Sequence, residues 1–172
     1  MEEIIKIPDE RLGALIGPEG TVRNKIAIQT RTKIRIDSAS GEVEVEGEGE
    51  GYVKAVNLVH AIARGFSPER AYTLLKDDYT LKIIEVVEFI GKNESNLKAK
   101  RGRVIGREGL ARKNIEKKTK SLISVYGKTI AIIAKLEDME VAIEAVELLL
   151  KGAKHETMEQ RIDERAHDRF KL

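Results

Sequence analysis

With 172 residues, 41% of them hydrophobic and only 4% aromatic, the chain holds one ordinary domain or two small ones, and its core has to be aliphatic. No apolar run approaches the roughly 18–20 residues of a membrane span, and the start Met1-Glu2-Glu3-Ile4 lacks the basic flank and apolar stretch of a signal peptide. Without cysteine there are no disulfides or thiolate metal sites, so the expectation is a cytoplasmic protein, and a net charge of +2 excludes a uniformly basic or acidic surface.

In chain order, Glu3 to Ile7 alternates apolar and charged residues as a half-buried strand does. Pro8-Asp9 opens a short helix over Glu10 to Ile16, which Gly17 can end. After Gly20 a second helix runs to about Thr30, with Val22, Ile26 and Ala27 at helical spacing. Lys33 to Asp37 reads as a strand with Ile34 and Ile36 on one face. Ser38 to Gly41 turns the chain, and Glu42 to Glu46 returns with Val43 and Val45 inward. A helix from about Gly51 to Ala63 follows, apolar at Val53, Val56, Val59 and Ile62. Ser67-Pro68 starts a connecting helix reaching Lys76. The same order then recurs: a strand within Thr80 to Phe89, a helix within Glu94 to Val104, and a helix over Leu110 to Thr119. Strands at Ser121 to Tyr126 and Thr129 to Ala134 are joined by the tight Gly127-Lys128 turn, and a helix from about Asp138 to Lys151 closes the unit. This second copy carries roughly ten extra residues between its first strand and its glycine loop. Beyond Gly152 a charged tail helix shows a narrow apolar stripe of Met158, Ile162, Ala166 and Phe170, suited to packing on the chain's own body, with partner docking as the alternative.

The recurrence is a duplication. Shifted by 89 residues, Ile16-Gly17-Pro18-Glu19-Gly20 falls on Ile105-Gly106-Arg107-Glu108-Gly109. Arg23 then meets Arg112, Ile26 meets Ile115, Thr30 meets Thr119, Ile34 meets Ile123, Ile36 meets Val125 and Val43 meets Ile132. The expected organisation is a first domain over 1–66, a connecting helix over 67–78, a second domain over 79–153 and a helical tail over 154–172.

The motif Ile-Gly-x-x-Gly between two short helices, with an Ile six residues later, resembles the KH RNA-binding family. In the first copy it runs from Ile5-Lys6-Ile7-Pro8 through Ile16-Gly17-Pro18-Glu19-Gly20 to Arg23-Asn24-Lys25-Ile26. In the second it runs from Arg103-Val104-Ile105-Gly106-Arg107-Glu108-Gly109 to Arg112-Lys113-Asn114-Ile115. The resemblance implies an α+β fold of two tandem type I KH domains (β-α-α-β-β-α), each a three-stranded antiparallel sheet packed on helices. The arrangement is most similar to the two-KH small-subunit ribosomal RNA processing proteins of archaea and eukaryotes, the partner-of-Nob (Dim/Pno/Krr) type. That group implies a role in maturing the 3′ end of small-subunit rRNA. It also implies, as partners, a Nob-type endonuclease and the alpha subunit of translation initiation factor two.

Glycine lets a sugar-phosphate strand pass close to the main chain, and a helix starting at Gly109 offers unpaired N–H groups and the positive end of its dipole. By the family's precedent the loop clamps the backbone of about four nucleotides. Bases would then lie between the second helix and the adjacent strand, over a floor of Ile105, Ile115 and Leu122 with Ile123 and Val125 beneath. Charge follows the loops: Leu97 to Lys120 carries ten Lys or Arg against Glu108 and Glu116, a local +8, and Arg11 to Arg35 carries six against Glu19, a local +5. The candidate RNA-binding residues of the second copy are therefore Arg103, Ile105, Gly106, Arg107, Glu108, Gly109, Arg112, Lys113 and Leu122. Those of the first, expected to bind less, are Ile16, Gly17, Pro18, Glu19, Gly20 and Arg23, because its loop carries an acid and no base.

Other signals are weaker. Glu42, Glu44, Glu46, Glu48 and Glu50 share one strand face without His or Asn partners and read as a solvated surface rather than a metal site. His60, His155 and His167 are scattered, so no catalytic residue, metal or cofactor is expected, and nothing outside the repeats is long enough to hold a catalytic domain. The competing reading is a protein-docking scaffold whose KH folds bind RNA weakly or not at all, favoured by Glu19 and Glu108 in the loops.

Overall fold

Alternating side chains make β1 (Glu2–Lys6), and the chain then forms α1 (Asp9–Ile16), α2 (Thr21–Thr30), β2 (Lys33–Asp37), β3 (Glu42–Glu46) and α3 (Gly49–Ala63). These belong to the first of two units, residues 1–81 and 82–172, in a computed structural model that describes residues 1–90, 94–169 and 171. The strands form an antiparallel sheet in the order β1-β3-β2, with Ile5 opposite Val43 and Ile34 opposite Val45. Ile5, Ile34, Val43 and Val45 are buried in the same core as Leu15, Ile26, Leu58 and Ile62. The acidic outer face is solvated, with Glu44 on Arg35 at 2.9 Å and Glu46 on Lys33 at 3.8 Å.

The apolar stripe expected on α3 is corrected at its start. Val53 is exposed, and the buried face runs through Ala55, Leu58, Val59 and Ile62. A strict three-residue spacing turns only about 300° per step, so it drifts around a helix that repeats every 3.6 residues. The segment after Phe66 is not one helix. It forms α4 (Pro68–Ala71), with the Ser67 hydroxyl accepting from the Arg70 N–H, followed by a 3₁₀ turn over Tyr72–Leu75. Ala71 and Leu74 are buried, and the Lys25 ammonium sits 4.2 Å from the centre of the Tyr72 ring, so this segment packs on the first unit.

The second unit repeats the plan with β4 (Tyr79–Glu85), α5 (Val87–Ile90), α6 (Glu94–Ile105), α7 (Leu110–Thr119), β5 (Leu122–Tyr126), β6 (Thr129–Lys135), α8 (Leu136–Leu150) and α9 (His155–Arg169). Its sheet order is β4-β6-β5. The short α5 was not legible from periodicity, and part of the extra stretch before α6, residues 91–93, lies outside the described residues. Ile123 pairs with Ile132, as Ile34 pairs with Val45. The four-residue turn of the first hairpin becomes a two-residue turn in the second, so the structural counterpart of Ile132 is Val45 rather than Val43. A slip of two residues keeps every side chain on its face, which is why alternation alone hides it.

Small details are duplicated as well. Thr30 donates to the Ile26 carbonyl at 2.6 Å and meets Thr32 at 2.8 Å; Thr119 donates to Ile115 at 2.7 Å and meets Ser121 at 2.7 Å. Both helices end on a non-glycine residue in the left-handed region, Arg31 (φ 55) and Lys120 (φ 54). An arginine closes the C-terminal end of α3 and of α8. Arg11 donates to the carbonyls of Ile62 and Phe66, both at 2.8 Å, and Arg103 donates to those of Leu149 and Ala153. The carbonyls correspond between the copies, yet the two arginines stand one helical turn apart in the repeat. Helix α9 lies on α8 and α7: Met158 and Ile162 enter the core, and Arg161 and Arg165 pair with Glu144 at 2.7 and 3.1 Å. Arg169 reaches buried Asp138 at 2.8 Å. Phe170, the last member of the expected tail stripe, lies outside the described residues.

Candidate nucleic-acid interface

The two glycine loops have the same backbone path. Gly17 (φ 71, ψ 173) and Gly106 (φ 74, ψ 177) leave the preceding helix, Glu19 (φ 54, ψ 28) and Glu108 (φ 55, ψ 25) sit in the left-handed region, and Gly20 (φ 76, ψ 14) and Gly109 (φ 75, ψ 10) enter the next helix. The glycines serve different purposes. A Cβ on Gly17 would stand 2.4 Å from Val22 Cγ2, and one on Gly106 would stand 2.5 Å from Ala111 Cβ, so the first glycine lets the loop lie against the first turn of the following helix. At Gly109 the nearest atom to a Cβ is Lys113 Cε at 3.9 Å, and the requirement there is the positive φ alone. Neither Gly20 nor Gly109 supplies a side-chain cap; the first N–H of each helix, that of Thr21 or Leu110, donates back to the Pro18 or Arg107 carbonyl, and the positive end of the helix dipole is left without a capping side chain. Pro18 has no N–H, whereas Arg107 at the same position has one.

Around the second loop the structure separates basic residues that the sequence grouped together. Arg107 and Lys113 are exposed. Arg103 is turned away: its guanidinium donates to Leu149 at 3.0 Å and to Ala153, while His155 Nε2 contacts its carbonyl oxygen at 3.0 Å. In this structure its donors serve the Leu149 carbonyl in the last turn of α8 and the Ala153 carbonyl just beyond that helix. Arg112 pairs with Glu116 at 2.9 Å and also donates to the Ile123 carbonyl at 3.4 Å. The other Glu116 oxygen accepts the Ile123 N–H at 2.8 Å. In the first loop Arg23 donates to Asn24 Oδ1 at 3.2 Å, and Ala27 occupies the position of Glu116.

The expected apolar floor is also adjusted. Ile105 and Leu122 are half-buried and Ile16 matches Ile105, but Ile115 is fully buried and belongs to the core. Lys33 stands where Leu122 stands in the second copy. Leu110, directly after the loop, is 55% exposed and was not anticipated. Lys117, one turn after Lys113 on the same exposed helix face, and Lys120, exposed at the left-handed residue that ends the helix, add to the basic surface. The next face turns to α9, where Asn114 meets Glu159 at 3.3 Å and Lys118 meets Asp163 at 3.5 Å.

Elsewhere, His60 lies 3.5 Å from Glu3. Among the described residues no group of three His, Cys, Asp or Glu is placed to hold a metal ion, and no helix is long and apolar enough to cross a membrane.

Two β-α-α-β-β-α units, each with a glycine-bracketed turn feeding an uncapped helix, define a tandem type I KH protein. Residues 2–61 match the KH domain profile, and residues 80–167 match the eukaryotic type KH domain (KH-domain type I) in the form of the second domain of Pno1. The chain belongs to the Pno1/Dim2 family of two-KH-domain RNA-binding proteins. It is 41% identical over 157 residues to the KH domain-containing protein MJ0443 of Methanocaldococcus jannaschii, covering 89% of this chain and 69% of that one. It is 32% identical over 120 residues to the RNA-binding protein pno1 of Dictyostelium discoideum, covering 65% of this chain and half the length of that protein. A chain in the crystal structure of the a/eIF2alpha-aDim2p-rRNA complex from Pyrococcus horikoshii superposes with a TM-score of 0.91 at 40% identity, over 98% of this chain and 95% of that chain.

Proposed function

We propose that the protein is a single-stranded RNA-binding assembly factor of the small ribosomal subunit, acting without catalysis of its own in maturation of the 3′ end of its rRNA. The observation that carries this reading is the repeated glycine loop opening onto uncapped helix N–H groups, accompanied in the second unit by exposed Arg107, Lys113, Lys117 and Lys120. Phosphate oxygens fit those donors, and Ile105, Leu110 and Leu122 offer apolar surface to the bases. The second unit carries most of the RNA contact, because its loop keeps the N–H that Pro18 lacks and has Arg107 to offset Glu108. The contact set is Ile105, Gly106, Arg107, Glu108, Gly109, Lys113 and Leu122, with weaker contacts from Ile16, Gly17, Pro18, Glu19, Gly20 and Arg23. The likeness to a chain crystallised with rRNA and the alpha subunit of the initiation factor supports RNA and that subunit as partners. A Nob-type endonuclease would perform the cleavage.

The test is binding of a labelled single-stranded oligonucleotide from the 3′ region of small-subunit rRNA across a salt series. Affinity should fall with a log–log slope of about −0.7 per phosphate neutralised. The second reading, a docking scaffold, is favoured by the acid in each loop and by the engagement of Arg103 and Arg112 within the protein. It predicts no binding of such RNA even at low salt and undiminished capture of the initiation-factor subunit.

A further inference from the structure

Strand β1 is an edge of its sheet, since the order β1-β3-β2 gives it one neighbouring strand among the described residues. The Gly47 N–H donates to the Met1 carbonyl at 3.0 Å and the Ile7 N–H donates to the Gly41 carbonyl at 2.8 Å, so the hydrogen-bonded pairs of this ladder fall on the odd-numbered residues of β1. Such pairs alternate in an antiparallel ladder, and the N–H and C=O groups of Glu2, Ile4 and Lys6 therefore point away from β3. A row of outward main-chain groups is a template for one more strand. The side chains of the same three residues lie on the outer face of the sheet, where Glu2 and Lys6 are exposed and Ile4 is 62% exposed. Helix α3 runs beside the strand, with His60 3.5 Å from Glu3, and Val53, two turns earlier on that helix face, is 53% exposed.

Charges of one sign along such an edge would keep copies of the chain apart. Here the signs are opposite, and Glu2 and Lys6 stand at equal spacing on either side of Ile4. We infer that the edge of β1 is a self-association surface, on which two copies of the chain pair antiparallel about a two-fold axis at Ile4. That register sets Ile4 against Ile4 of the second copy and Glu2 against Lys6 of the second copy, and symmetry repeats the charge pair at the other end. All three residues then exchange both main-chain bonds across the axis. Glu2 benefits most, because Glu46 opposite it within the sheet carries a like charge. A register centred on Glu2 or on Lys6 brings like charges together and leaves outward main-chain groups unused. Strand β4, the matching edge of the second unit, has no such self-match, because Lys82 and Glu85 point to opposite faces. The inference goes beyond RNA binding and names a second copy of this chain as a partner.

The test uses the full chain without RNA, from micromolar to millimolar concentration, with mass read by sedimentation equilibrium and main-chain amides by hydrogen exchange. The mass should rise toward that of two chains. Over the same range the Ile4 and Lys6 amides should slow about tenfold, while those of Glu3 and Ile5, already bonded to β3, change far less. Glu2→Lys and Lys6→Glu should each weaken self-association about tenfold, because either one sets like charges against each other at both ends of the pairing. An equimolar mixture of those two variants should associate as the wild type does, which separates charge matching from damage to the strand. Ile4→Pro removes an N–H that the ladder to β3 does not use, so it should give a folded single chain. The mass of one chain at every concentration would overturn the inference. So would association that survives Ile4→Pro, and so would a mixture of the two charge variants whose members stay apart.

Discussion

Replacing Gly106 with alanine puts a Cβ 2.5 Å from that of Ala111 and 2.7 Å from the Ala111 nitrogen, in a backbone conformation (φ 74, ψ 177) that L-residues rarely adopt. The conformational cost is about 1–3 kcal/mol, and pushing α7 back from the loop costs about 1–3 kcal/mol more, giving roughly 2–6 kcal/mol. Gly109→Ala meets nothing closer than 3.9 Å and adopts the ordinary left-handed conformation (φ 75, ψ 10), so about 1–2 kcal/mol is expected. Gly102, inside α6, has nothing within 4 Å of a Cβ and no positive φ, so Gly102→Ala should stabilise by roughly 0.5–1 kcal/mol. Native-state hydrogen exchange at the buried Ile132 and Ile133 amides of β6 reports the second unit by itself and would rank the three variants. Equal losses at Gly106 and Gly109, or any loss at Gly102, would refute the assignment of distinct tasks to the loop glycines.

Arg107→Asp should lower single-stranded RNA affinity about tenfold at low salt, with a much smaller loss for Pro18→Asp; equal losses in a salt-series binding assay would refute the dominance of the second unit. Arg103→Ala removes the side-chain donor from the carbonyls of Leu149, which keeps the Gly152 N–H at 3.1 Å, and Ala153, so it should cost about 1–3 kcal/mol of stability in denaturant unfolding while leaving RNA affinity nearly unchanged, and the opposite pattern would return Arg103 to the RNA contacts. The N–H of Ala39, then the N–H and hydroxyl of Ser40, hold the Asp37 carboxyl below its usual value of 3.8. A depressed carboxyl contributes stability above the unfolded value that is lost as pH falls through the folded one. The difference in thermal midpoint between wild type and Asp37→Ala should therefore be full at pH 7 and shrink below about pH 4; a difference independent of pH would refute it.

Periodicity and the repeat made most of the elements legible, because β2 and β3 alternate and α2 and α7 carry the loop motif at their starts. The side-chain placements that the sequence left undecided share one cause. Arg103, Arg112 and Ile115 look alike in sequence to residues that face solvent, and only the partner decides where each one points. Arg103 finds the end of α8, 46 residues on, Arg112 finds Glu116 and β5, and Ile115 faces the sheet. Lys117 was readable from its spacing to Lys113 alone. The Glu116–Ile123 bond was not, because nothing in one sequence tells a carboxylate four residues after an arginine that it will also reach a strand edge.

Helix α9 bears on how the second unit can be handled. Met158 and Ile162 sit among the side chains beneath α7 and α8, and Asp138 is paired with Arg169 arriving from the far end of the helix. A fragment trimmed to residues 79–153, the span of one KH repeat, would uncover an oily furrow and strand a sunken carboxylate. Its misbehaviour in solution would then say nothing about its affinity for RNA. Any excision of this unit has to carry the chain through residue 169.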